Sequence, residues 1–200
     1  MYFLKNIVYI LILSIVGVVF AVNDGVFAAD FSLPQLARAS VENYLSGKTI
    51  NIKDCKIVGF DGGKVVGVFV TILDSNNKSR GCWGDLYPQS NIKEAVLNAA
   101  LGAIKRDYRY DPPALSELDS MKFQVSLVSS IKPVESIRSI NPFTDGLLVR
   151  SGSKGGIIMP GEAVDAHYQM VQCKLKAGIQ PDEPYNLFKL ETKVYKEGSR

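Results

Sequence analysis

The residues best suited to chemistry stand together in the run Lys78-Ser79-Arg80-Gly81-Cys82-Trp83-Gly84-Asp85. Cys82 is the candidate catalytic residue, a thiol between Gly81 and Gly84 with the Arg80 guanidinium two residues before it. The thiolate is the reactive form, and a neighbouring cation favours it, whereas Asp85 opposes it. Glycines let a backbone bend sharply or let another molecule approach it closely. The run therefore reads in two ways. It is a reactive or ligand-binding loop built from Arg80, Gly81, Cys82, Trp83, Gly84 and Asp85, or it is a strand end that packs tightly around a small buried hydrophobe.

Other groups add little. His167, the single histidine, is flanked by Ala166 and Tyr168 and has no predictable acidic or thiol partner. A Cys–His or Ser–His–Asp arrangement would have to recruit it from a distant segment. Arg106, Arg109 and Tyr110 could line an anionic pocket, and a solvated loop accounts for them equally. Glu117 and Asp119 open a short helix, where carboxylates commonly cap. The glycine pairs in Asp61-Gly62-Gly63 and Lys154-Gly155-Gly156 match neither a phosphate loop nor a dinucleotide fingerprint. Cys55, Cys82 and Cys173 contain no CxxC pair, so neither a zinc knuckle nor an iron–sulfur site built by this chain alone is expected, and the sequence leaves the cofactor unknown.

The elements that must position Cys82 are legible from periodicity. Ser32-Leu33-Pro34-Gln35 carries the signature of a helix start with a capping box, and Leu33, Leu36, Ala37, Val41, Tyr44 and Leu45 follow at helical spacing up to Gly47. Residues 55–60 and 65–73 read as strands joined by Asp61-Gly62-Gly63 as a hairpin, the second apolar on both faces and hence central. Residues 74–77 make a polar turn, and 78–84 return as a partner strand that places Cys82 near its middle or far end. Asn91 caps a helix reaching about Lys105, with alanines on its inner face. Asp107 to Pro113 is a stiff loop, because the residue before a proline is kept out of the helical region. Met121, Phe123, Val125 and Leu127 alternate with polar residues as a half-buried strand. Residues 146–150 and 155–159 form a second hairpin, and 162–176 a helix ending at Gly178 with Val171 and Leu175 inward. Residues 188–194 close the sheet. The fold class is α+β, an antiparallel sheet flanked by helices.

The formal net charge is +3, with 46% hydrophobic and 22% charged residues. The charges are interspersed without a basic block, which leaves no electrostatic footprint for nucleic acid. Residues 7–22 are apolar throughout, Asn23-Asp24-Gly25 breaks the run, and Val26-Phe27-Ala28 presents small residues at both positions that a signal peptidase reads. Residues 1–28 are thus expected to be a signal peptide or a membrane anchor, in either case placing residues 31–197 outside the cytoplasm, with membrane contact only through the N-terminal segment.

The order of several short segments resembles the AMMECR domain family. These are Gly67-Val68-Phe69-Val70-Thr71, Arg80-Gly81-Cys82-Trp83-Gly84, Arg106-Asp107-Tyr108-Arg109-Tyr110-Asp111-Pro112-Pro113, Val125-Ser126-Leu127, Ile158-Met159-Pro160 and Cys173-Lys174-Leu175-Lys176-Ala177-Gly178-Ile179. The family's hallmark is Arg-Gly-Cys-Ile-Gly-Thr; here Trp83 stands for the isoleucine and Asp85 for the threonine, which alters the expected pocket. The resemblance implies a sheet with helices in two unequal lobes and a cleft near the hallmark run. It also implies association with a Memo-like protein and a radical S-adenosylmethionine enzyme as one part of a modification system. Export conflicts with that, since iron–sulfur radical enzymes work in a reducing cytoplasm. Two functional readings follow. One is a binding module for a small molecule or protein partner, with its site at Arg80 to Asp85 and Arg109. The other is an enzyme or enzyme subunit in which Cys82 works with Arg80 and Arg109 on an anionic substrate.

Overall fold

A computed structural model describes residues 30–198 of the chain. The expected signal or anchor segment lies outside the described residues. Among those described, no helix is long and apolar enough to cross a membrane.

Strand β1 (Asp30–Phe31) leads into helix α1 (Leu33–Leu45), whose capping box forms as the sequence predicts, with Ser32 and Gln35 satisfying each other's backbone N–H groups. Strand β2 (Lys56–Ile57) pairs with β1 in parallel and not with the next strand. The expected hairpin through Asp61-Gly62-Gly63 is therefore absent. Gly59, Gly62 and Gly63 all adopt positive φ. Three left-handed residues within five unravel the ladder into an irregular loop.

Strands β3 (Gly67–Leu73) and β4 (Ser79–Asp85) form the anticipated antiparallel pair, and α2 (Ile92–Lys105) follows, its N-cap Asn91 accepting from the N–H groups of Lys93 and Glu94. After a 3-10 helix (Leu115–Ser120) come β5 (Lys122–Val134), a 3-10 turn (Ile137–Ser139), the hairpin β6 (Asp145–Ser151) and β7 (Lys154–Ile158), helix α3 (Ala166–Ala177) and β8 (Asn186–Lys196). Six strands make one antiparallel sheet in the order β4-β3-β5-β8-β6-β7.

The sheet is curled. Laid flat, β3 and β7 would be separated by about 19 Å, four steps of the interstrand spacing. Instead Phe69 of β3 and Met159, one residue past β7, share an apolar cluster with Val128, Leu148 and Leu190. The opposite face of β3 and β5 carries Val68, Val70, Ile72, Phe123, Val125 and Leu127 into the larger cluster beneath α1 and α2. β5 is consequently buried on both faces, Gln124, Ser126 and Val128 being 7%, 1% and 0% exposed, and is not the half-buried strand that its alternation predicts. Alternation reports the polarity of a face, and the curl covers the polar one.

Helix α3 departs from expectation in start and phase. Gly161 turns at φ 81°, Asp165 accepts from the Tyr168 N–H as N-cap, and Glu162 stays outside the helix. Its buried residues are Gln169 and Cys173, while Val171 and Leu175 face out. The helix rides so close to β7 that a Cβ on Gly156 would lie 1.9 Å from the Cys173 carbonyl oxygen. Branched side chains do not fit in such a seam.

A buried ion pair ties α1 to the end of the chain. Arg38 donates from Nε and Nη2 to the two Glu197 carboxylate oxygens at 2.6 and 2.7 Å and from Nη1 to the Leu118 carbonyl at 2.8 Å, over the Phe123 ring. Glu197 also accepts from the Phe123 N–H at 3.1 Å. Arg38→Met leaves that carboxylate buried and unpaired, and urea denaturation is expected to show a loss of about 3–5 kcal/mol.

Candidate functional site

The curl leaves a hollow of about 1070 Å³ between the inner face of β3, β4 and β5 and the segment running from β7 into α3. Its floor holds Thr71 of β3, Cys82 of β4 and Gln124 of β5, which the sheet register sets side by side: Cys82 opposes Thr71, and Thr71 opposes Gln124. From the far side come Glu162, Tyr168, Gln172, Leu175 and Lys176. The outward-facing Leu175 and Tyr168 thus wall the hollow.

Of the run Arg80 to Asp85, Cys82 and Trp83 line the hollow, and Cys82 stands on its floor beside Thr71 and Gln124. The β3–β4 register shifts so that Leu73 opposes Ser79 and Ile72 opposes Gly81, leaving Arg80 as the extra residue of a bulge. A bulge re-aims its side chain, and the Arg80 guanidinium lies 3.8 Å from the Glu117 carboxylate. It does not accompany Cys82. Gly81 faces α2, where an added Cβ would meet the Ala103 carbonyl oxygen at 2.4 Å. Trp83 lies on Gly102 of α2, with the Arg106 guanidinium 5.7 Å from its ring. Gly84 lies beneath the Phe69 ring, and Asp85 is exposed at the strand end. The glycines of the hallmark are there for packing, and of this run Cys82 and Trp83 border the space.

Arg109 is placed by Asp107. This carboxylate, 8% exposed, accepts from Arg109 Nε and Nη2 at 2.7 Å each and from the Cys82 backbone N–H at 2.8 Å. Burial works to raise the Asp107 pKa, but the Arg109 pair and the Cys82 N–H outweigh it and hold the carboxyl below its usual range. Asp107 also occupies a backbone donor on the outer edge of β4, the kind of free edge that otherwise recruits other strands.

The Thr71 hydroxyl lies 3.4 Å from Cys82 Sγ and 3.4 Å from Glu162 Oε1, and the other Glu162 oxygen accepts from the Met159 N–H at 3.2 Å. Burial, first, and then the Glu162 carboxylate push the Cys82 thiol up to about 12, against weaker opposing effects of Lys176, Thr71 and Arg109. Cys82 is therefore a protonated thiol at neutral pH. His167 is exposed on α3, and among the described residues no histidine or carboxylate is hydrogen-bonded to the sulfur, Glu162 reaching it only through the Thr71 hydroxyl. Cys55 and Cys173 are buried and unpaired, and Cys173 donates to the Leu147 carbonyl at 3.2 Å. Among the described residues no group of three or more His, Cys, Asp or Glu side chains is placed to hold a metal ion.

Sequence reasoning brought Cys82 and Arg109 to one region and missed Thr71, Gln124, Glu162 and Lys176. Gln124 stood at a polar position of an alternating strand and read as solvated, and Glu162 read as the first turn of a helix. Neither carried a local signal for the long-range curl that joins them.

Fold and site together define an α+β domain, a curled antiparallel sheet carrying a polar hollow. The AMMECR1 family model matches residues 34–198, and the chain belongs to that family. It is similar to a protein of Methanocaldococcus jannaschii, 32% identical over an alignment of 190 positions that covers 88% of this chain and 90% of that one. A protein of Methanocella arvoryzae is 33% identical over 81% of this chain and 83% of its own length. The crystal structure of an uncharacterized protein from Pyrococcus horikoshii superposes with a TM-score of 0.70 at 29% identity, covering 82% of this chain and 89% of that one.

Asp107→Asn keeps an acceptor for the Cys82 N–H but removes the charge facing Arg109. The expected loss of stability is about 1–2 kcal/mol, moderated because Arg109 is 40% exposed, and Asp107→Ala is expected to lose about 1–3 kcal/mol, both read by chemical denaturation.

Proposed function

We propose that this domain is a binding module that holds a small molecule in the hollow by non-covalent contacts, with Cys82 as a protonated contact at its floor. One observation carries the reading: the sulfur sits in a large hollow with no base hydrogen-bonded to it among the described residues, and the Glu162 carboxylate beyond Thr71 disfavours the thiolate, an environment opposite to the one that activates a nucleophile. The floor offers a hydroxyl, a thiol and an amide, and the far wall offers Leu175 and Tyr168, which is the mixture of apolar surface and few polar groups typical of ligand sites. The Asp107–Arg109 pair shapes one rim. The site of Arg80 to Asp85 foreseen from the sequence narrows in this reading to Cys82 itself, with the neighbouring glycines and Trp83 as its scaffold.

The alternative, an enzyme subunit acting with Memo-like and radical S-adenosylmethionine proteins, rests on resemblance and gains no geometric support at Cys82. On the sequence of residues 1–28 the domain is proposed to work outside the cytoplasm, exported or tethered through residues 7–22. Mass spectrometry of the mature protein is expected to find Ala29 as the first residue; a chain still carrying residues 1–28 and released from cells in soluble form would overturn that localisation.

Alkylation of Cys82 by iodoacetamide in the folded protein is expected to be about a thousandfold slower at pH 7 than that of a free cysteine, and to keep rising beyond pH 9. Rapid labelling at neutral pH would instead restore the nucleophile. The same shift bears on stability. The folded value of about 12 lies above the unfolded one, so the contribution of the thiol is whole below about pH 8.5 and is lost as the pH climbs toward the folded value. Cys173 acts in the same direction. Cys82→Ser is expected to flatten the alkaline fall in thermal midpoint without changing the midpoint's slope in acid.

A further inference from the structure

The hollow is charged unevenly. Its lining includes Lys78, Arg106, Arg109, Lys122, Lys176 and Lys196 but only three carboxylates, Asp107, Glu162 and Glu197. Two of those carboxylates are already engaged, Asp107 by Arg109 and Glu197 by Arg38. Among the described residues the other five cations form no ion pair: Lys122 donates to the Asn77 side-chain oxygen at 3.2 Å, Lys176 to the Ile157 carbonyl at 3.1 Å, and Arg106 lies over Trp83. Glu162 is the one carboxylate left to face them.

The register sharpens this into a site. Lys196 of β8 opposes Gln124 of β5, and Lys122 lies two residues before Gln124 on the same face. Lys122 and Lys196 are thus diagonal neighbours across the β5–β8 pair, within reach of each other, and like charges so placed repel. Between them sits the Gln124 side chain, 7% exposed and lining the hollow, with no hydrogen bond to any described residue. A donor on a buried amide is normally used, as Gln169 Nε2 is, toward the Asp145 and Ile158 carbonyls, although the Gln169 oxygen has no partner among the described residues. The Gln124 amide has no partner among the described residues and opens onto the hollow, whose lining also includes Lys122 and Lys196.

We propose that the ligand of the hollow carries an oxyanion, a phosphate or carboxylate group, that seats between Lys122 and Lys196 and accepts from the Gln124 amide. This rests on the reading of the hollow as a binding site and adds the chemical class of what it takes. Lysines supply mobile point charges and the amide a fixed neutral donor, so oxygens of either group suit the site, and charge-assisted bonds carry most of the affinity. The rest of the ligand extends along the floor toward Thr71 and Cys82, which places its non-ionic end against the thiol.

The test is thermal unfolding of the residue 30–198 region within the full chain, in sodium phosphate and in sodium succinate, each against sodium chloride at matched ionic strength. Phosphate, succinate or both are expected to raise the midpoint beyond chloride, and the one that does so identifies the oxyanion. Lys122→Met/Lys196→Met is expected to weaken the apparent affinity about tenfold or more, and Gln124→Leu to weaken it without altering the response to chloride. Lys48→Met, an exposed lysine away from the hollow, is expected to match the wild type. If the double variant does not fold, Lys196→Gln alone gives the same reading. Stabilisation by neither anion beyond chloride overturns the proposal, as does an unchanged response in the lysine variants. Cys82 labelling in anion-free buffer reports the other reading separately: fast labelling with a lysine-dependent shift overturns only the non-covalent role of the thiol, and slow labelling with no shift overturns only the oxyanion.

Discussion

The closure of the sheet on itself is the constraint from which the site follows. One face of β3 and β5 is taken up by α1 and α2, and the other would be exposed if the sheet were flat. Phe69, Val128, Leu148, Met159 and Leu190 bury that second face by drawing the β7 end across it. The apolar contacts fill one end of the curl only. At the other end the inward residues are Thr71, Gln124 and Cys82, with Lys122 and Lys196 at the strand ends, and the space they bound stays open. The hollow is the polar remainder of a barrel-like core. Glu162 and the Thr71 hydroxyl meet across it, so the residues that line the space also mark where the two ends of the sheet approach.

Within that frame the charge on Asp107 does two things at once. It fixes Arg109, and it occupies the Cys82 N–H on the open edge of β4. Arg109 is thereby committed to Asp107, which explains why a guanidinium two loops away does not activate the sulfur. Arg80, the cation adjacent in sequence, is turned aside by the bulge toward Glu117. The thiol is left with burial and a carboxylate as its dominant influences, and both favour the proton staying on.

Much of this was legible from the chain. Capping residues Ser32 and Asn91 gave both N-termini of the first two helices, and the position of Cys82 on a strand paired with residues 67–73 follows from the polar turn between them. The alanines of α2 announced the close approach that Gly81 and Gly102 complete. What escaped had nonlocal causes. Asp61-Gly62-Gly63 looked like a hairpin because a turn signal does not say which strands it joins. Val171 and Leu175 looked like an inner face because hydrophobicity does not reveal a seam too narrow for branched residues. Gln124 looked solvated because a strand's alternation cannot say what covers its polar side. Each miss concerns the curl or the depth of a contact, and these are set by packing between segments distant in sequence.

The central claim is that the hollow holds a molecule without covalent chemistry at the sulfur. Native mass spectrometry of the full-length protein, purified without denaturation and compared with the same sample after acid denaturation, measures this directly. The account predicts an added mass of a small molecule in the native spectrum that disappears on denaturation, leaving the chain at its sequence mass. An added mass that survives denaturation and maps to Cys82, or a native spectrum that stays bare after incubation with a pool of small anionic metabolites, would contradict it.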